Sequence, residues 1–177
     1  MNKIIRGNKK QCGFTLMEAI VSLTLIAILS AVVLPNYTNI RSQFALLRDA
    51  YALAQNLRIT QEMAISARKV EGSVPFSYGI HISTIEDNQG YLIYADINGD
   101  QQYVVNVDQI VEEVELNKGI VLQEIPTNFL SINFQGPDPI TFISSGDNVV
   151  EIVLMLKENA QEFETVFINK AGLIYVE

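Results

Sequence analysis

The residues best placed for chemistry lie near the N-terminus: a Gly13-Phe14 step and, four residues after Phe14, the carboxylate of Glu18. A basic leader precedes the step, and a run without charged residues follows from Ala19 to Leu34. If the chain is cut after Gly13, the new α-amino group of Phe14 lies about one helical turn from Glu18. An amine and a carboxylate at that spacing can pair within one chain or between chains packed side by side. The spacing predicts proteolytic processing followed by assembly.

Glu18 is informative because it interrupts an apolar segment. A carboxylate in an apolar helix costs about 2.5 to 3.5 kcal/mol at the centre of a bilayer and less near its edge, so it usually has a partner. The alternative is a carboxylate that only extends toward the membrane surface. That interpretation leaves the neighbouring Gly13-Phe14 step as a coincidence, so we expect Glu18 to have an ionic partner.

The apolar segment from Phe14 to Leu34 has the length of a membrane span. Its 21 residues, at about 1.5 Å each, cross a hydrocarbon core of about 30 Å. Its hydroxyl groups can bond back to carbonyl groups of their own helix. A secretory signal peptide is cut after its apolar region, between small residues, and residues 30–35 make a poor site of that kind. We therefore predict a leader over residues 1–13, cut on the cytoplasmic side, and a transmembrane helix over residues 14–36.

Charge sets the expected orientation and excludes some partners. Lys3, Arg6, Lys9 and Lys10 keep the leader in the cytoplasm under the positive-inside rule, which predicts a single-pass protein. Since four of the twelve Lys and Arg residues lie in the leader, only eight remain after it, against 20 acidic residues. This acidic balance disfavours binding to nucleic acid. The single cysteine, Cys12, is also in the leader, so no disulfide can stabilise the processed chain.

The order Gly13-Phe14-Thr15-Leu16-Met17-Glu18, followed by the apolar run and Pro35, resembles the class III signal of type IV pilins and type II secretion pseudopilins. The resemblance implies cleavage after Gly13 by a prepilin peptidase, N-methylation of Phe14, and a role for Glu18 in docking and register within a helical filament. It also implies a helix kink at Pro35, where an interior proline removes a backbone bond.

The chain after Pro35 has the pattern of a continued helix. Apolar residues follow steps of three and four at Ile40, Phe44, Leu47, Tyr51, Ala54 and Leu57. We expect one helix from about residue 14 to about residue 70, whose amphipathic second half, within residues 37–72, lies on a globular domain. Gly72, Ser73 and Pro75 are the expected stop signals.

Residues 73–177 alternate short β runs with turn signals, which predicts an antiparallel β domain. Asn98-Gly99 is expected to form a tight hairpin turn. The fold class is therefore α+β: a long N-terminal helix, transmembrane in its first half, packed on an antiparallel β-sheet domain. The expected strands cover residues 77–82, 91–95, 102–105, 110–116, 120–124, 130–134, 140–144, 149–157, 164–169 and 173–176.

The segment from Gly90 to Asp100, and the closing pattern of strand, Lys170-Ala171-Gly172 and last strand, resemble minor pseudopilins of the GspH/FimT type. The resemblance implies a structural subunit of a filament or its tip complex, without enzyme activity or cofactor. Its partners would be a prepilin peptidase and other pilins. Its location would be the bacterial inner membrane, with the C-terminal domain on the periplasmic side.

Two binding functions are alternatives to a purely structural one. Some FimT-like proteins take up DNA through basic C-terminal segments, as in competence. This chain instead has Glu162, Glu164 and Glu177 near its end, with only Lys157 and Lys170 beside them. A membrane-anchored β domain that acts as a binding module is the other alternative.

Three further groups of residues are candidate binding or catalytic sites. Asp96, Asn98 and Asp100 have the alternate spacing of a calcium loop, but an EF-hand requires Gly at position 101 and Glu at 107, where this chain has Gln and Val. A hairpin with solvated acids is favoured, and we predict no metal. His81, the only histidine, lacks neighbours in sequence for a zinc site or a nucleophile–base pair, so a strand-surface position is expected. The group Glu112, Glu113 and Glu115 indicates a solvated face, or a surface that selects partners by charge.

Overall fold

The computed structural model describes residues 13–83, 89–123, 125, 128–137 and 140–177, and within residues 33–39 it describes the backbone only. The predicted leader up to Cys12 therefore lies outside the described residues, and so does the side chain of Pro35. The chain divides into two compact units, with the boundary between Ile40 and Arg41.

The helix α1 (Leu16–Ile65) follows residues 13–15, which have no regular secondary structure. It ends about five residues earlier than predicted because Ala67 adopts a left-handed conformation with φ of 47°. The N–H of Ala67 donates to the carbonyl of Ala64, and the N–H of Arg68 donates to the carbonyl of Met63, both at 3.1 Å. These two bonds form a Schellman motif, in which glycine is the usual left-handed residue. An alanine in that place gives no sequence signal for the helix end.

The second half of α1 is amphipathic, but only part of the predicted stripe is buried: Ala54 and Leu57 lie in the core. Phe44 and Tyr51 of the predicted stripe are exposed by 68% and 56%. The predicted stripe and the observed buried face are both spaced by steps of three and four residues. The small side chains of Ala50 and Ala54 allow the observed face to approach the sheets closely. The buried apolar residues are Leu46, Ala50, Leu53, Ala54, Leu57, Met63 and Ala64.

Nine antiparallel strands form two sheets within the described part of the chain. The five-stranded sheet has the order β3-β2-β1-β5-β6, and the four-stranded sheet has the order β4-β7-β8-β9. The strands are β1 (Ser77–Ser83), β2 (Gly90–Asp96), β3 (Gln109–Glu115), β4 (Ile120–Leu122), β5 (Phe129–Gln135), β6 (Ile140–Ile143), β7 (Val149–Leu156), β8 (Asn159–Asn169) and β9 (Ile174–Val176).

One hydrophobic core joins the buried face of α1 to both sheets. The five-stranded sheet contributes Ile80, Ile132 and Phe134, all completely buried. The four-stranded sheet contributes Leu154 and Val166, also completely buried. An N-terminal helix followed by an antiparallel β domain confirms the predicted α+β class and is consistent with a pilin-like fold.

Polar contacts attach α1 to a turn and to a strand of the β domain. Asn117, in the turn between β3 and β4, donates its backbone N–H to Asp49 at 2.7 Å and its side-chain amide to the same carboxylate. Arg48 donates to the side-chain oxygen of Asn117 at 2.9 Å. Farther along the helix, Arg58 donates to the carbonyl of Ile174 in β9 at 3.0 Å.

The predicted strand over residues 102–105 and the tight Asn98-Gly99 hairpin are wrong. After β2 ends at Asp96, the next strand begins at Gln109, and residues 97–108 form a loop. Backbone N–H groups that a hairpin would place in its ladder are instead bound by the carboxylates of Asp96 and Asp108. Side-chain acceptors of this kind compete with strand pairing.

The helical residues with described side chains are 16–32 and 40–65. Among them, no stretch is long and apolar enough to span a membrane.

Leu53 and Tyr51 distinguish the observed helix register from the predicted one. Leu53→Ala removes a completely buried side chain, so we expect it to lower the free energy of unfolding by about 2 to 5 kcal/mol. Tyr51→Ala should have little effect because Tyr51 is exposed. Denaturant unfolding of the full-length protein in detergent, followed by circular dichroism, measures both. A larger loss for Tyr51→Ala would contradict the described packing.

Candidate functional site

The predicted processing site lies in an exposed segment without regular secondary structure, immediately before α1. Gly13 and Phe14 have no regular secondary structure, and Phe14 is 76% exposed. Exposed segments near a chain terminus are preferred sites of proteolysis. The described geometry therefore leaves the Gly13-Phe14 bond accessible.

Thr15 caps the helix that begins immediately after this bond. Its Oγ1 accepts the backbone N–H of Glu18 at 3.2 Å, and its carbonyl accepts the N–H of Ala19 at 3.1 Å. Thr15 is a helix-capping residue that the sequence reasoning missed. The signal was present, because Ser or Thr followed three residues later by Glu is the sequence of a capping box.

The cap places Glu18 in the first turn of α1, where it is exposed. Unpaired backbone N–H groups give that end of a helix a partial positive charge, which stabilises a nearby carboxylate by about 0.3 to 1 kcal/mol. The geometry holds the carboxylate at the beginning of the helix, on the same short segment as Phe14. A pairing of Glu18 with an α-amino group stays a prediction.

The rest of this segment has apolar side chains on every side. All described residues from Gly13 to Val32 are exposed, and the large apolar ones include Leu23, Ile28 and Leu29, exposed by 63 to 66%. A helix that is apolar all round requires an apolar environment.

Two hydroxyl groups of this segment, those of Ser22 and Thr24, are bonded within the helix. Ser22 donates to the carbonyl of Glu18 at 2.8 Å, and Thr24 donates to the carbonyls of Ile20 at 3.1 Å and Val21 at 2.8 Å. The predicted bonds back to helix carbonyls are confirmed for these two residues. The helix assignment continues through residue 35, but the kink at Pro35 stays a prediction because its side chain lies outside the described residues.

A second group of polar residues closes the loop over residues 97–108. The carboxylate of Asp96, which is completely buried, accepts the hydroxyl of Ser77 at 2.8 Å and the N–H groups of Gly99 at 2.6 Å and Gln101 at 3.1 Å. Asp108, also buried, accepts the N–H groups of Ile97 at 3.0 Å and Val104 at 2.7 Å. Hydrogen bonds of this kind fix the loop at both of its ends.

Of the three residues with the spacing of a calcium loop, Asp96 and Asp100 lie close together. Carboxylate oxygens of Asp96, Asp100 and Asp108 lie within 4.8 Å of one another. Asn98 instead bonds to Asp100, through its side-chain amide at 2.8 Å and by accepting the Asp100 N–H at 3.1 Å. The sequence reasoning missed Asp108, which lies on the far side of the loop. Oxygen atoms in such a group suit a hard cation, but those of Asp96 and Asp108 already accept the loop's backbone N–H groups, which gives both residues a structural role.

The loop covers a polar face of the five-stranded sheet. The side-chain amide of Asn133 donates to the hydroxyl of Tyr94 at 2.9 Å and to the carbonyl of Gln101. Tyr103, from the loop, packs edge-on against Tyr94 with ring centroids 5.3 Å apart. Burial raises the pKa of the Tyr94 hydroxyl, so this group stays protonated. A side chain at Gly79 would overlap Asn133 and the ring of Tyr94, which explains the glycine.

His81 lies on this face and is half-buried, so the expected surface position is only partly correct. Its Nδ1 is 2.9 Å from the hydroxyl of Ser131. Its ring lies between Tyr103 and Phe129, at centroid distances of 5.1 and 6.0 Å. Burial lowers the pKa of His81 from 6.5. The predicted acidic residues of β3, Glu112, Glu113 and Glu115, are all exposed, but they do not share one face, because the side chains of the adjacent Glu112 and Glu113 point to opposite faces of the sheet.

The N-terminal sequence matches a known signature. Residues 8–34 match the prokaryotic N-terminal methylation motif. The chain carries a type IV pilin-like signal. This signal supports a pilin or pseudopilin subunit that is processed by a prepilin peptidase, and a structural subunit rather than an enzyme. No curated protein and no solved structure matches the chain.

The type IV pilin-like signal ends at residue 34, before the β domain begins. The resemblance of that domain to the GspH/FimT type therefore stays a prediction. The same holds for the individual roles of Gly13, Phe14 and Glu18.

The buried carboxylate that closes the loop should be essential for stability. We expect Asp96→Ala to lower the free energy of unfolding by about 2 to 4 kcal/mol, because it leaves three donors without their acceptor. Asp100→Ala is the matched control, since Asp100 is exposed and lies on the same loop. Denaturant unfolding of the full-length protein in detergent compares them. Equal losses for the two variants would contradict the structural role of Asp96.

His81 should make stability depend on pH. Because its folded pKa is lowered, the unfolded chain binds the proton more readily, so the contribution of neutral His81 is complete above about pH 6.5 and is lost as the pH falls toward the folded pKa. We expect the unfolding midpoint of the wild type to fall more between about pH 7.5 and 5.5 than that of His81→Gln. Parallel pH dependence in the two proteins would show that His81 is not the group responsible.

Proposed function

We propose that the protein is a minor pilin or pseudopilin, a structural subunit of a type II secretion pseudopilus or a type IV pilus. Three features that are adjacent at the N-terminus support this proposal together. The Gly13-Phe14 bond is exposed, Thr15 and Glu18 form the first turn immediately after it, and the following helix is apolar on every side. The type IV pilin-like signal covers this junction.

The proposed organisation follows the sequence. Residues 1–13 are a leader removed by prepilin peptidase, and residues 14–36 anchor the chain in the bacterial inner membrane as a single span. Residues 37–72 contain the amphipathic second half of the helix, and residues 73–177 contain the β domain on the periplasmic side. The uninterrupted apolar run in the sequence and the four basic residues of the leader support this topology.

The proposed mechanism is assembly rather than catalysis. Cleavage after Gly13 creates a positively charged amine on Phe14, which is then N-methylated. In an assembled filament the carboxylate of Glu18 pairs with such an amine, and because both charges lie in apolar surroundings, a misplaced neighbour leaves an unpaired charge. Breaking a pair of this kind costs about 3 to 5 kcal/mol, which is enough to favour one register of adjacent helices.

We also propose that the protein lies at the filament tip or in an initiation complex, and that its β domain is of the GspH/FimT type. Both proposals rest on the resemblance of Gly90 to Asp100 and of the closing strands. The DNA-binding alternative has no support from a described basic surface, since β8 carries Glu162 and Glu164 and no Lys or Arg.

Processing of the full-length chain tests the proposal. In cells that carry a prepilin peptidase, intact mass and N-terminal sequencing should show a mature chain that begins at methylated Phe14. Gly13→Leu should block the cut, because the side chain occupies the position next to the cleaved bond. Gly7→Leu changes the other leader glycine in the same way and should leave processing unchanged.

A third variant separates processing from assembly. Glu18→Gln should be cut normally but should enter filaments less efficiently, as measured by its share of the sheared filament fraction relative to the membrane fraction. A chain that still begins at Met1 in the presence of the peptidase, or one cut beyond Ala31, would overturn the proposed function.

A further inference from the structure

The loop over residues 97–108 carries the only Asn-Gly pair in the sequence, Asn98-Gly99. Both residues are exposed. In such a pair the backbone nitrogen of the glycine can attack the carbonyl carbon of the asparagine side chain, because glycine has no side chain that hinders the approach. The pair is therefore a chemically reactive site, and the proposed function does not account for it.

The reaction is deamidation, and its atoms balance without a cofactor. The nitrogen of Gly99 loses its proton and forms a bond to Cγ of Asn98, while the bond from Cγ to Nδ2 breaks and Nδ2 leaves with that proton as ammonia. Water then opens the resulting cyclic imide at either carbonyl carbon. The product at position 98 is aspartate, or isoaspartate, in which the main chain runs through the former side chain. The first step requires a Gly99 N–H group that is free to lose its proton.

The carboxylate of Asp96 holds this N–H group in the structure. Gly99 donates its N–H to Oδ1 of Asp96 at 2.6 Å, which is short even for a hydrogen bond to a carboxylate. Asp96 is completely buried, and it is itself fixed by the hydroxyl of Ser77 and the N–H of Gln101, at 2.8 and 3.1 Å. If the Gly99 nitrogen lost its proton here, its negative charge would lie against a carboxylate oxygen, and charges of the same sign repel strongly at such a distance.

Two neighbouring carboxylates oppose the reaction in the same way. Oxygen atoms of Asp96, Asp100 and Asp108 lie within 4.8 Å of one another, so all three repel a negative charge on Gly99. Asp100 also binds the group under attack. The side-chain amide of Asn98 donates to the Asp100 carboxylate at 2.8 Å, and Oδ1 of Asn98 accepts the Asp100 N–H at 3.1 Å. Both reacting groups therefore have hydrogen-bond partners while the loop is closed.

Packing keeps Gly99 in this conformation. Its φ is 79°, and a side chain at this position would meet the ring of Phe76 at 3.3 Å, so the ring lies against the glycine. The loop must move away from Asp96 before the Gly99 N–H is released. Local opening of this kind costs free energy, and a reaction that needs the open state proceeds only in the fraction of molecules that have opened.

We propose that Asn98-Gly99 is a latent deamidation site that the carboxylate of Asp96 keeps unreactive as long as the loop is closed. Opening of the loop frees the Gly99 nitrogen and the Asn98 amide together, and deamidation follows. The product has a carboxylate in place of the amide that donates to Asp100, so like charges oppose reclosure of the loop. The proposal concerns this loop alone and does not depend on processing of the N-terminus or on assembly.

Peptide mapping by mass spectrometry measures the reaction in the full-length protein in detergent. After incubation at constant pH and temperature, chromatography separates peptides with aspartate or isoaspartate at position 98 from the peptide with asparagine. We expect Asp96→Asn to deamidate at Asn98 about tenfold or more faster than the wild type, because the Gly99 N–H loses its charged acceptor. The variant keeps the size of the side chain, and circular dichroism shows whether it is folded. An unchanged rate in the folded variant would overturn the proposal.

Leu53→Ala is the matched control for general destabilisation. It removes a buried side chain of the core but leaves the loop and its carboxylates unchanged, so Asn98 should react at a rate close to that of the wild type. If Leu53→Ala and Asp96→Asn accelerate deamidation equally, opening of the whole domain controls the reaction and Asp96 does not, which is the opposite of what we propose.

Two measurements on the wild type decide the proposal even if Asp96→Asn does not fold. Urea denaturation frees the Gly99 N–H, so deamidation should be about tenfold or more faster than in the folded protein. Hydrogen exchange of the Gly99 N–H, followed by NMR, should be slow in the folded protein although the residue is exposed. Equal deamidation rates with and without urea, or exchange at Gly99 as fast as in the unfolded chain, would contradict the proposal.

Discussion

The packing of one face of α1 against two sheets is the contact on which the β domain depends. Leu53, Ala54 and Leu57 are completely buried in the same cluster as Ile80 and Leu154, which belong to different sheets. Each sheet buries one apolar face in this cluster, and the helix contributes to the core shared by both. The bonds from Asp49 to Asn117 and from Arg58 to Ile174 attach the helix at separate points of the domain. The position of the helix thus determines the position of both sheets.

The opposite face of the five-stranded sheet is stabilised in a different way. Instead of a second helix, a loop of twelve residues covers it, and hydrogen bonds from Asp96, Asp108 and Asn133 hold the loop in place. Buried polar groups cost free energy unless they are paired, so such a layer stabilises the fold only when its members are satisfied together. The layer contains Tyr94 and half-buried His81, whose pKa is lowered by burial.

The sequence predicted the fold class, the antiparallel arrangement and most strands, because alternating apolar residues and turn residues are local signals. It could not predict the loop over residues 97–108. Asn98-Gly99 is a strong local hairpin signal, but the acceptors that override it, Asp96 and Asp108, act across the loop. The buried face of α1 was ambiguous for a related reason, since two overlapping sets of residues satisfy the same helical spacing. Thr15 was predictable from its spacing to Glu18, whereas the left-handed Ala67 that ends the helix was not.

The internal bonds of Ser22 and Thr24 affect how easily the apolar helix can change its surroundings. Because Thr24 donates to two carbonyls of its own helix, neither hydroxyl needs a partner from lipid or from a neighbouring helix. The helix can then exchange one apolar environment for another without breaking a polar contact, and the two states differ little in free energy on that account. The polar requirements of this segment therefore lie with the charged groups at the beginning of the helix, not with the hydroxyl groups of Ser22 and Thr24.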